Sequence, residues 1–309
     1  GTIDEMGLGT IRDAFSDALF PGTSSLQTRM RYFFFVPWLY QGLEKAAASG
    51  ARVAEQIRQA ETDLIASLSE SSDRQGVIGA VARSGLTRLP SEIYWPGLLK
   101  WGIFQERKSR SWYHTHLERL ARGHDAVGHM ADDPGVVLET PRTWDVRLPK
   151  PPDGFPKTAE LALTAEEAGF LLEKIEECCP GSLLAWLARN GSSNLAVAFW
   201  DEPAAWTASG ELRQTVELAR RFSRYAEGPV LLYNLLLAEQ RTALRGTDED
   251  PVEEHRAALD QWAEFEAADT PFDPQAIWQF MSRYGKQPAQ PQRDFVEAWT
   301  RRLGAVGAS

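Results

Sequence analysis

Apolar side chains recur at the spacing of an α-helix along most of this chain, and this pattern constrains the fold more than any other feature. In the segment TIRDAFSDAL, five apolar residues follow the spacing i, i+3, i+4, i+7 and i+8 of one helix face: Ile11, Ala14, Phe15, Ala18 and Leu19. No segment shows sustained apolar–polar alternation, a glycine-rich nucleotide-binding pattern or an internal repeat. The sequence therefore predicts a mostly α-helical globular protein, with one large helical domain or two closely packed helical subdomains.

Turn and capping signals are densest between Thr10 and Tyr40. A Pro-Gly pair ends the first helix, and Ser24 with Gln27 three residues later indicates a capping box that opens a second helix. This helix is predicted to run to about Val36, because the proline that follows lacks an amide hydrogen and disfavours helix in its predecessor. A kink at that proline, with the helix continuing through the next aromatic residues, is equally compatible with the sequence.

Two further signals concern helices in the second half of the chain. Thr164 and Glu167 form a capping box before AGFLLEKIEE. Gly228-Pro229 predicts a break after an amphipathic helix over 211–227. The segment VLLYNLLLAEQ beyond it is apolar on almost every side, and such a helix is normally buried at the centre of a domain.

Composition divides the chain into three regions. Residues 1–124 form a predicted N-terminal helical region with a basic and aromatic block, and residues 161–309 a C-terminal helical region with the buried central helix. Residues 125–160 between them are rich in Asp, Gly and Pro, which predicts a linker or long loop. The first residue is Gly rather than Met, so we expect a fragment, a processed product or a tagged chain with some natural N-terminus missing.

The formal net charge of −10 over 309 residues argues against a generally basic nucleic-acid-binding protein. The charge is unevenly distributed, since residues 26–124 hold 14 Lys and Arg against 9 Asp and Glu. Such a block still suits a phosphate-binding surface. No apolar run approaches the roughly 20 residues of a membrane-spanning helix. The only cysteines, Cys178 and Cys179, are adjacent and suit a reducing cytosol, so we expect a cytoplasmic protein; the oligomeric state is left open.

Metal and nucleophile patterns are weak. Four histidines occur within 16 residues: His114, His116, His124 and His129. The first two are two positions apart and point away from each other, whereas two metal ligands on one helix face need a spacing of three or four. The sequence also lacks a nucleophile elbow and a phosphate-binding loop. It therefore predicts no metal site and no nucleophilic hydrolase.

Paired carboxylates are the clearest candidates for chemistry. Asp13 and Asp17 are four residues apart on the predicted first helix, with Arg12 beside them. Like charges held close together raise the pKa of one of them, and a carboxylate near an aromatic wall can act as a general base. The same spacing also fits two solvated helix charges, or an ion pair between Asp13 and an arginine.

Two other features allow both a functional and a structural interpretation. Asn234 lies in an apolar helix, and an unsatisfied buried amide costs roughly 1–3 kcal/mol, so it faces either a pocket or an interhelix hydrogen bond. Arg107 and Arg110 combine with Tyr113 to offer cations for phosphates and a ring for stacking on bases. A surface helix with an aromatic inner edge has the same composition.

The segment IDEMGLGTIRDAFSDALFPGTSSLQTRMRYFFFVPWLY closely resembles the signature of a bacterial family catalogued as a domain of unknown function. The resemblance continues through YWPGLLKWGIF, SRSWYH, LTAEEAGFLLEKI, SLLAWL and LLYNLLLAEQ, so it covers nearly the whole chain. This family is similar to proteins of phage-defence loci and looks like the one that contains an antiphage DNA glycosylase. That enzyme type removes glucosylated hydroxymethylcytosine from phage DNA and leaves abasic sites.

The resemblance implies a monofunctional glycosylase that acts on double-stranded phage DNA with no metal or organic cofactor. Such an enzyme extrudes a nucleotide, so it needs a base pocket, cations for phosphates and one carboxylate. In this interpretation the carboxylate is Asp13 or Asp17. The base pocket is expected to use Gln27, Tyr32, Trp38, Tyr94 and Asn234. The DNA contacts are expected from Arg12, Arg31, Arg107, Arg110 and Tyr113. The alternative is a non-catalytic DNA- or protein-binding component of a phage-defence system.

Overall fold

A computed structural model describes residues 8–46, 52–80, 88–130, 143–192, 196–245 and 252–306. Within these ranges the chain is helical, and its one β-type pairing is an isolated bridge between Phe104 and Trp144. The helices are α1 (Gly9–Leu19), α2 (Tyr32–Lys45), α3 (Val53–Glu70), α4 (Pro90–Lys100), α5 (Arg110–Met130), α6 (Ala165–Cys178), α7 (Leu183–Asn190), a 3-10 turn (Phe199–Asp201), α8 (Pro203–Thr207), α9 (Gly210–Arg245), α10 (Val252–Ala267), α11 (Pro274–Arg283) and α12 (Gln290–Val306). The predicted mostly α-helical fold is confirmed. In the described ranges, no helix combines the length and apolar character needed to cross a bilayer.

The chain forms two compact units. One is Phe20–Arg189, and the other combines Gly1–Leu19 with Asn190–Ser309. This division differs from the one drawn from composition at 125–160. The reason is visible in the described end of that segment: Trp144 and Leu148 are buried in the core of the Phe20–Arg189 unit. Packing of apolar side chains, rather than local Pro and Gly content, therefore sets the unit boundaries.

Helix α2 is the centre of the Phe20–Arg189 unit. Every residue from Tyr32 to Tyr40 is buried, and α3, α4 and α5 pack around the helix. Its aromatic rings interlock with those of neighbouring helices; the ring of Phe33 stacks on that of Trp101 with centroids 4.1 Å apart. A helix that is apolar on all sides needs such complete coverage. The aromatic run of the sequence is thus the hydrophobic core of this unit.

The predicted start of α2 is wrong. Residues 24–27 form a turn closed by the Gln27 amide and the Ser24 carbonyl at 3.1 Å, and α2 begins only at Tyr32. The Gln27 side chain donates to the Gly22 carbonyl at 3.2 Å instead of closing a capping box. The helix then continues through Pro37 to Lys45. Of the two alternatives left open at the proline, continuation is the observed one.

The capping box before α6 is confirmed. The Glu167 amide donates to the Thr164 hydroxyl at 3.1 Å, and the Thr164 amide donates to the Glu167 carboxylate at 3.0 Å. Both partners lie within three residues of each other, so the pairing is local. Such a pair satisfies two amides that have no partner within the helix.

A close backbone approach holds the Phe-Pro-Gly turn in place. Gly22 has a φ of +86°, a conformation that glycine adopts without strain, and the Trp101 indole donates to the Pro21 carbonyl at 2.8 Å. Gly97 of α4 packs against the same turn. A Cβ at Gly97 would lie 2.5 Å from the Gly22 carbonyl oxygen and 2.6 Å from the ring of Phe33. The Phe-Pro-Gly turn and α4 are therefore fitted closely to each other, although they are distant in sequence.

Two expectations for the other unit are corrected. Helix α9 runs unbroken from Gly210 to Arg245 with Pro229 inside it, so the predicted break is absent. Gly228 leaves space there for the Trp262 ring of α10, whose indole donates to the Arg224 carbonyl at 2.8 Å. Nor is the apolar segment buried on every side. Its outer side chains are exposed: Val230 by 41%, Tyr233 by 59% and Leu236 by 55%.

Candidate functional site

The two aspartates of α1 are exposed and already paired. Asp13 lies 3.4 Å from Arg12, and Asp17 lies 2.5 Å from Lys286. Their side chains are 64% and 69% exposed, so water screens both charges. Both belong to a different compact unit from Gln27.

The aromatic residues expected to line a base pocket are core residues instead. Tyr32, Trp38 and Tyr94 are at most 3% exposed. Their polar atoms have protein partners: the Tyr32 hydroxyl accepts from the Ile78 amide at 3.0 Å, and the Trp38 indole donates to the Pro149 carbonyl at 2.7 Å. These rings contribute to α2 packing and are not available to hold a base. Burial also raises the pKa of the Tyr32 hydroxyl, so it is neutral at physiological pH.

The two amides assigned to the same pocket lie in different units. Gln27 is half-buried in the Phe20–Arg189 unit and donates to the backbone. Asn234 is half-buried on α9 of the other unit. The five residues expected to form one pocket thus divide between two units.

The residues expected to contact DNA are of three kinds. Arg12 and Arg107 are exposed. Arg110 is half-buried and paired with Glu92 at 2.5 Å. For Arg31 and Tyr113 the expected DNA contact is corrected. They are 6% and 0% exposed and lie in the core, out of reach of a phosphate or a base.

Glu61 is the polar group of this unit that sequence reasoning missed. It is fully buried on α3, where the core-facing positions are otherwise apolar, as at Ile57 and Leu64. Its carboxylate accepts from the Ser91 amide at 2.6 Å and from the Ser91 hydroxyl at 3.1 Å, at the start of α4. A glutamate that interrupts the apolar stripe of a helix was the available signal. Its partner Ser91 lies 30 residues away, so the pairing could not be predicted from the sequence.

Two side chains of α5 extend this cluster toward the surface. Arg110 donates to the Ser91 hydroxyl at 3.3 Å as well as to Glu92. One turn later, the half-buried His114 places Nε2 2.7 Å from the hydroxyl of Tyr40, which also faces Ser91 and Arg110. Glu61, Ser91, Arg110, Tyr40 and His114 thus form one connected polar group between the core and solvent. We call it the Glu61 cluster.

The Glu61 cluster contains two strongly shifted pKa values. Burial raises the pKa of Glu61 to about 7, although the hydrogen bonds from Ser91 and the charge of Arg110 oppose the shift. Burial and the charge of Arg110 lower the pKa of His114 to about 4. At neutral pH, Glu61 therefore exchanges between its acid and carboxylate forms while His114 is neutral. A carboxylate with a pKa near the working pH is suited to general acid–base chemistry.

The described residues show no group of three His, Cys, Asp or Glu arranged to hold a metal ion. His116 stacks on Trp112 with centroids 4.3 Å apart, and His114 faces Tyr40. The side chains of His124 and His129 lie outside the described residues. Lys174 and Asp145 form a separate buried ion pair, 2.8 Å apart.

Replacing Glu61 by glutamine is expected to change how stability depends on pH. The folded pKa of about 7 lies above the ordinary value of 4.5, so the folded chain binds this proton more tightly than the unfolded chain. Glu61 therefore contributes stability that is complete below pH 4.5 and is lost as the pH rises through 7. The loss is about 3 kcal/mol. In urea unfolding, the stability of Glu61→Gln relative to the wild type should therefore rise by about 2.5 kcal/mol from pH 5 to pH 8, because most of the loss falls within this range.

The control for this measurement is Glu55→Gln, an exposed position on the same helix. Its stability should follow that of the wild type at both pH values. Contributions from His114 and other groups cancel when each variant is compared with the wild type. Parallel stability curves for wild type and Glu61→Gln would contradict the shifted pKa.

A model of a family of unknown function, DUF6361, matches residues 1–301, so the chain belongs to this family. No curated protein and no solved structure matches the chain.

Proposed function

We propose that this member of the DUF6361 family is an antiphage DNA glycosylase that excises a modified, glucosylated hydroxymethyl cytosine. The proposal starts from the resemblance described above, which implies this reaction and requires one carboxylate. The observation that supports it is Glu61, whose pKa of about 7 and links to Arg110 and His114 suit acid–base chemistry. Glu61 takes the place of Asp13 and Asp17, which are exposed and paired.

The reaction is a hydrolysis with a simple balance. The bond between C1′ of the sugar and the ring nitrogen of the base breaks, and the base leaves with the bonding electrons. The oxygen of one water molecule bonds to C1′. One proton of this water remains on the new hydroxyl group, and the other passes through the Glu61 carboxylate to the released base. Because burial raises the pKa of Glu61 to about 7, the ionised form that starts this sequence is accessible near neutral pH.

In this proposal, one ion pair must open before the nucleotide can reach Glu61. Glu61 is fully buried beneath Ser91 and Arg110, so an extruded nucleotide reaches it only if the Arg110–Glu92 pair opens. Extrusion of a nucleotide already requires a few kcal/mol of unstacking. Arg110, once released from Glu92, is placed to bind the phosphate beside the extruded nucleotide.

An excision assay tests the proposal. Incubation with glucosylated phage DNA, followed by alkaline cleavage, should reveal abasic sites, and unmodified DNA should stay intact. Glu61→Gln keeps a hydrogen-bond acceptor for Ser91 but cannot take a proton, so we expect the rate to fall about 10²- to 10⁴-fold. Glu55→Gln should retain the wild-type rate.

Two other variants decide between the carboxylates. Asp13→Asn and Asp17→Asn should cleave as fast as the wild type. If either of these variants loses cleavage while Glu61→Gln keeps full activity, the catalytic carboxylate is Asp13 or Asp17 and not Glu61. Modified DNA that is bound but never cleaved by the wild type would favour the non-catalytic binding component.

A further inference from the structure

The outer side of α5 combines aromatic rings with cations. Trp112, His116 and Arg119 are separated by four and three residues, so they lie on one side of the helix. Arg107 and Lys108 occupy the loop that leads into it. The opposite side of α5 carries the fully buried Tyr113 and Leu117, and it belongs to the core. We call the outer side, with its leading loop, the α5 face.

The two rings of the α5 face form a fixed flat surface. The imidazole of His116 stacks on the indole of Trp112 with centroids 4.3 Å apart and planes 16° apart. Nδ1 of His116 lies 2.8 Å from the Trp112 carbonyl oxygen, which holds the ring in this orientation. The indole itself packs partly against the core. The contact of Trp112 with the core therefore anchors the stack, and both rings are half-buried.

The cations of the α5 face are free to bind an external anion. Arg107, Lys108 and Arg119 are all exposed, and within the described ranges none of them has an ion-pair partner. The backbone of the loop is held by a hydrogen bond of 3.0 Å from the Trp95 indole to the Lys108 carbonyl. Arg110, by contrast, is committed to Glu92.

We propose that the α5 face is the surface on which DNA docks. The three cations bind backbone phosphates, and the His116–Trp112 stack supports a base left unpaired beside the extruded nucleotide. Phosphates are the anions that such a loop attracts, and base stacking on protein rings tolerates any sequence. This inference rests on the proposed glycosylase function and names the docking side of the same site, since Arg110 of the Glu61 cluster lies at the start of α5.

A DNA-binding measurement tests the docking surface. The probe is a fluorescently labelled phage DNA duplex that carries the modified base, and fluorescence anisotropy reports its binding at several salt concentrations. The double variant Lys108→Gln/Arg119→Gln should bind more weakly, and its slope of log affinity against log salt should be shallower by about 2, because each lost phosphate contact removes about 0.9. His116→Ala should weaken binding to DNA with an unpaired base by about tenfold.

The matched control is Lys150→Gln/Lys157→Gln, which removes two exposed cations from another part of the same unit. Its salt slope should stay at the wild-type value. Circular dichroism melts check that all variants are folded. We expect them to be, because the changed residues are exposed or half-buried.

The outcomes separate the two proposals. If Lys108→Gln/Arg119→Gln binds with the same affinity and slope as the control while the wild type excises the base, the docking surface is wrong and the glycosylase function stands. If the salt slope of the variant is shallower than that of the wild type, but the wild type excises no base, the docking surface stands and the glycosylase function is wrong.

Discussion

Replacing Arg31 by leucine is expected to lower the free energy of unfolding by about 3–5 kcal/mol. The Arg31 guanidinium donates to the Glu167 carboxylate at 2.9 Å and to the Glu160 carbonyl at 2.9 Å, and both charged side chains are nearly inaccessible to water. Removing the cation leaves the Glu167 carboxylate buried without its partner, and that desolvation dominates the loss. Urea denaturation measures it directly.

The double variant Arg31→Leu/Glu167→Gln separates this cause from lost packing. With both charges removed, no ion stays buried, so more than half of the lost stability should return. Glutamine also preserves an acceptor for the amide of Thr164 at the start of α6. Arg12→Leu, at a 78% exposed side chain, should change stability by less than about 0.5 kcal/mol. A double variant as unstable as Arg31→Leu would contradict the explanation by buried charge.

Replacing Gly97 by alanine is expected to destabilise the protein by about 3 kcal/mol. The new methyl group would lie 2.5 Å from the backbone oxygen of Gly22 and 2.6 Å from the ring of Phe33. Neither neighbour yields easily, because one is backbone and the other is fully buried. Thermal and urea unfolding of the variant should both show the loss.

Gly169→Ala is the matched control, because it makes the same change in helix α6 at an exposed position with no atom within 4 Å of the new methyl group. Alanine favours a helix over glycine, so this variant should gain about 0.5–1 kcal/mol. The two substitutions thus have opposite expected signs. Equal effects at both positions would show that helix propensity, rather than the contact with Gly22, governs Gly97.

Local patterns predicted local structure well. The apolar stripe of α1 is confirmed, since Ile11, Ala14, Phe15 and Leu19 are buried. The capping box of Thr164 and Glu167 is confirmed for the same reason, because both partners lie within one helical turn. The break predicted at Pro229 is wrong, because α9 continues through it. The contact of the Trp262 ring with Gly228 could not be predicted either, because the two residues are distant in sequence.

The candidate site was harder to predict. Buried aromatic rings suit both a base pocket and a core, and composition cannot separate the two; Tyr32 and Tyr94 proved to be core. The hydrogen-bond partners of Glu61 could not be predicted, because Ser91 and Arg110 are distant from it in sequence. Its position among apolar residues at Ile57 and Leu64 was the one signal within reach of a periodicity argument.

The division of the chain into units has a consequence for synthesis on the ribosome. Phe15 of α1 stacks on Phe280 of α11 with ring centroids 4.3 Å apart, so α1 has a packing partner that is translated 265 residues after it. At about 5–20 residues per second, this delay is roughly 13–50 s. The Phe20–Arg189 unit is contiguous and complete long before then. The apolar stripe of α1 therefore stays without its Phe280 contact until α11 has been translated.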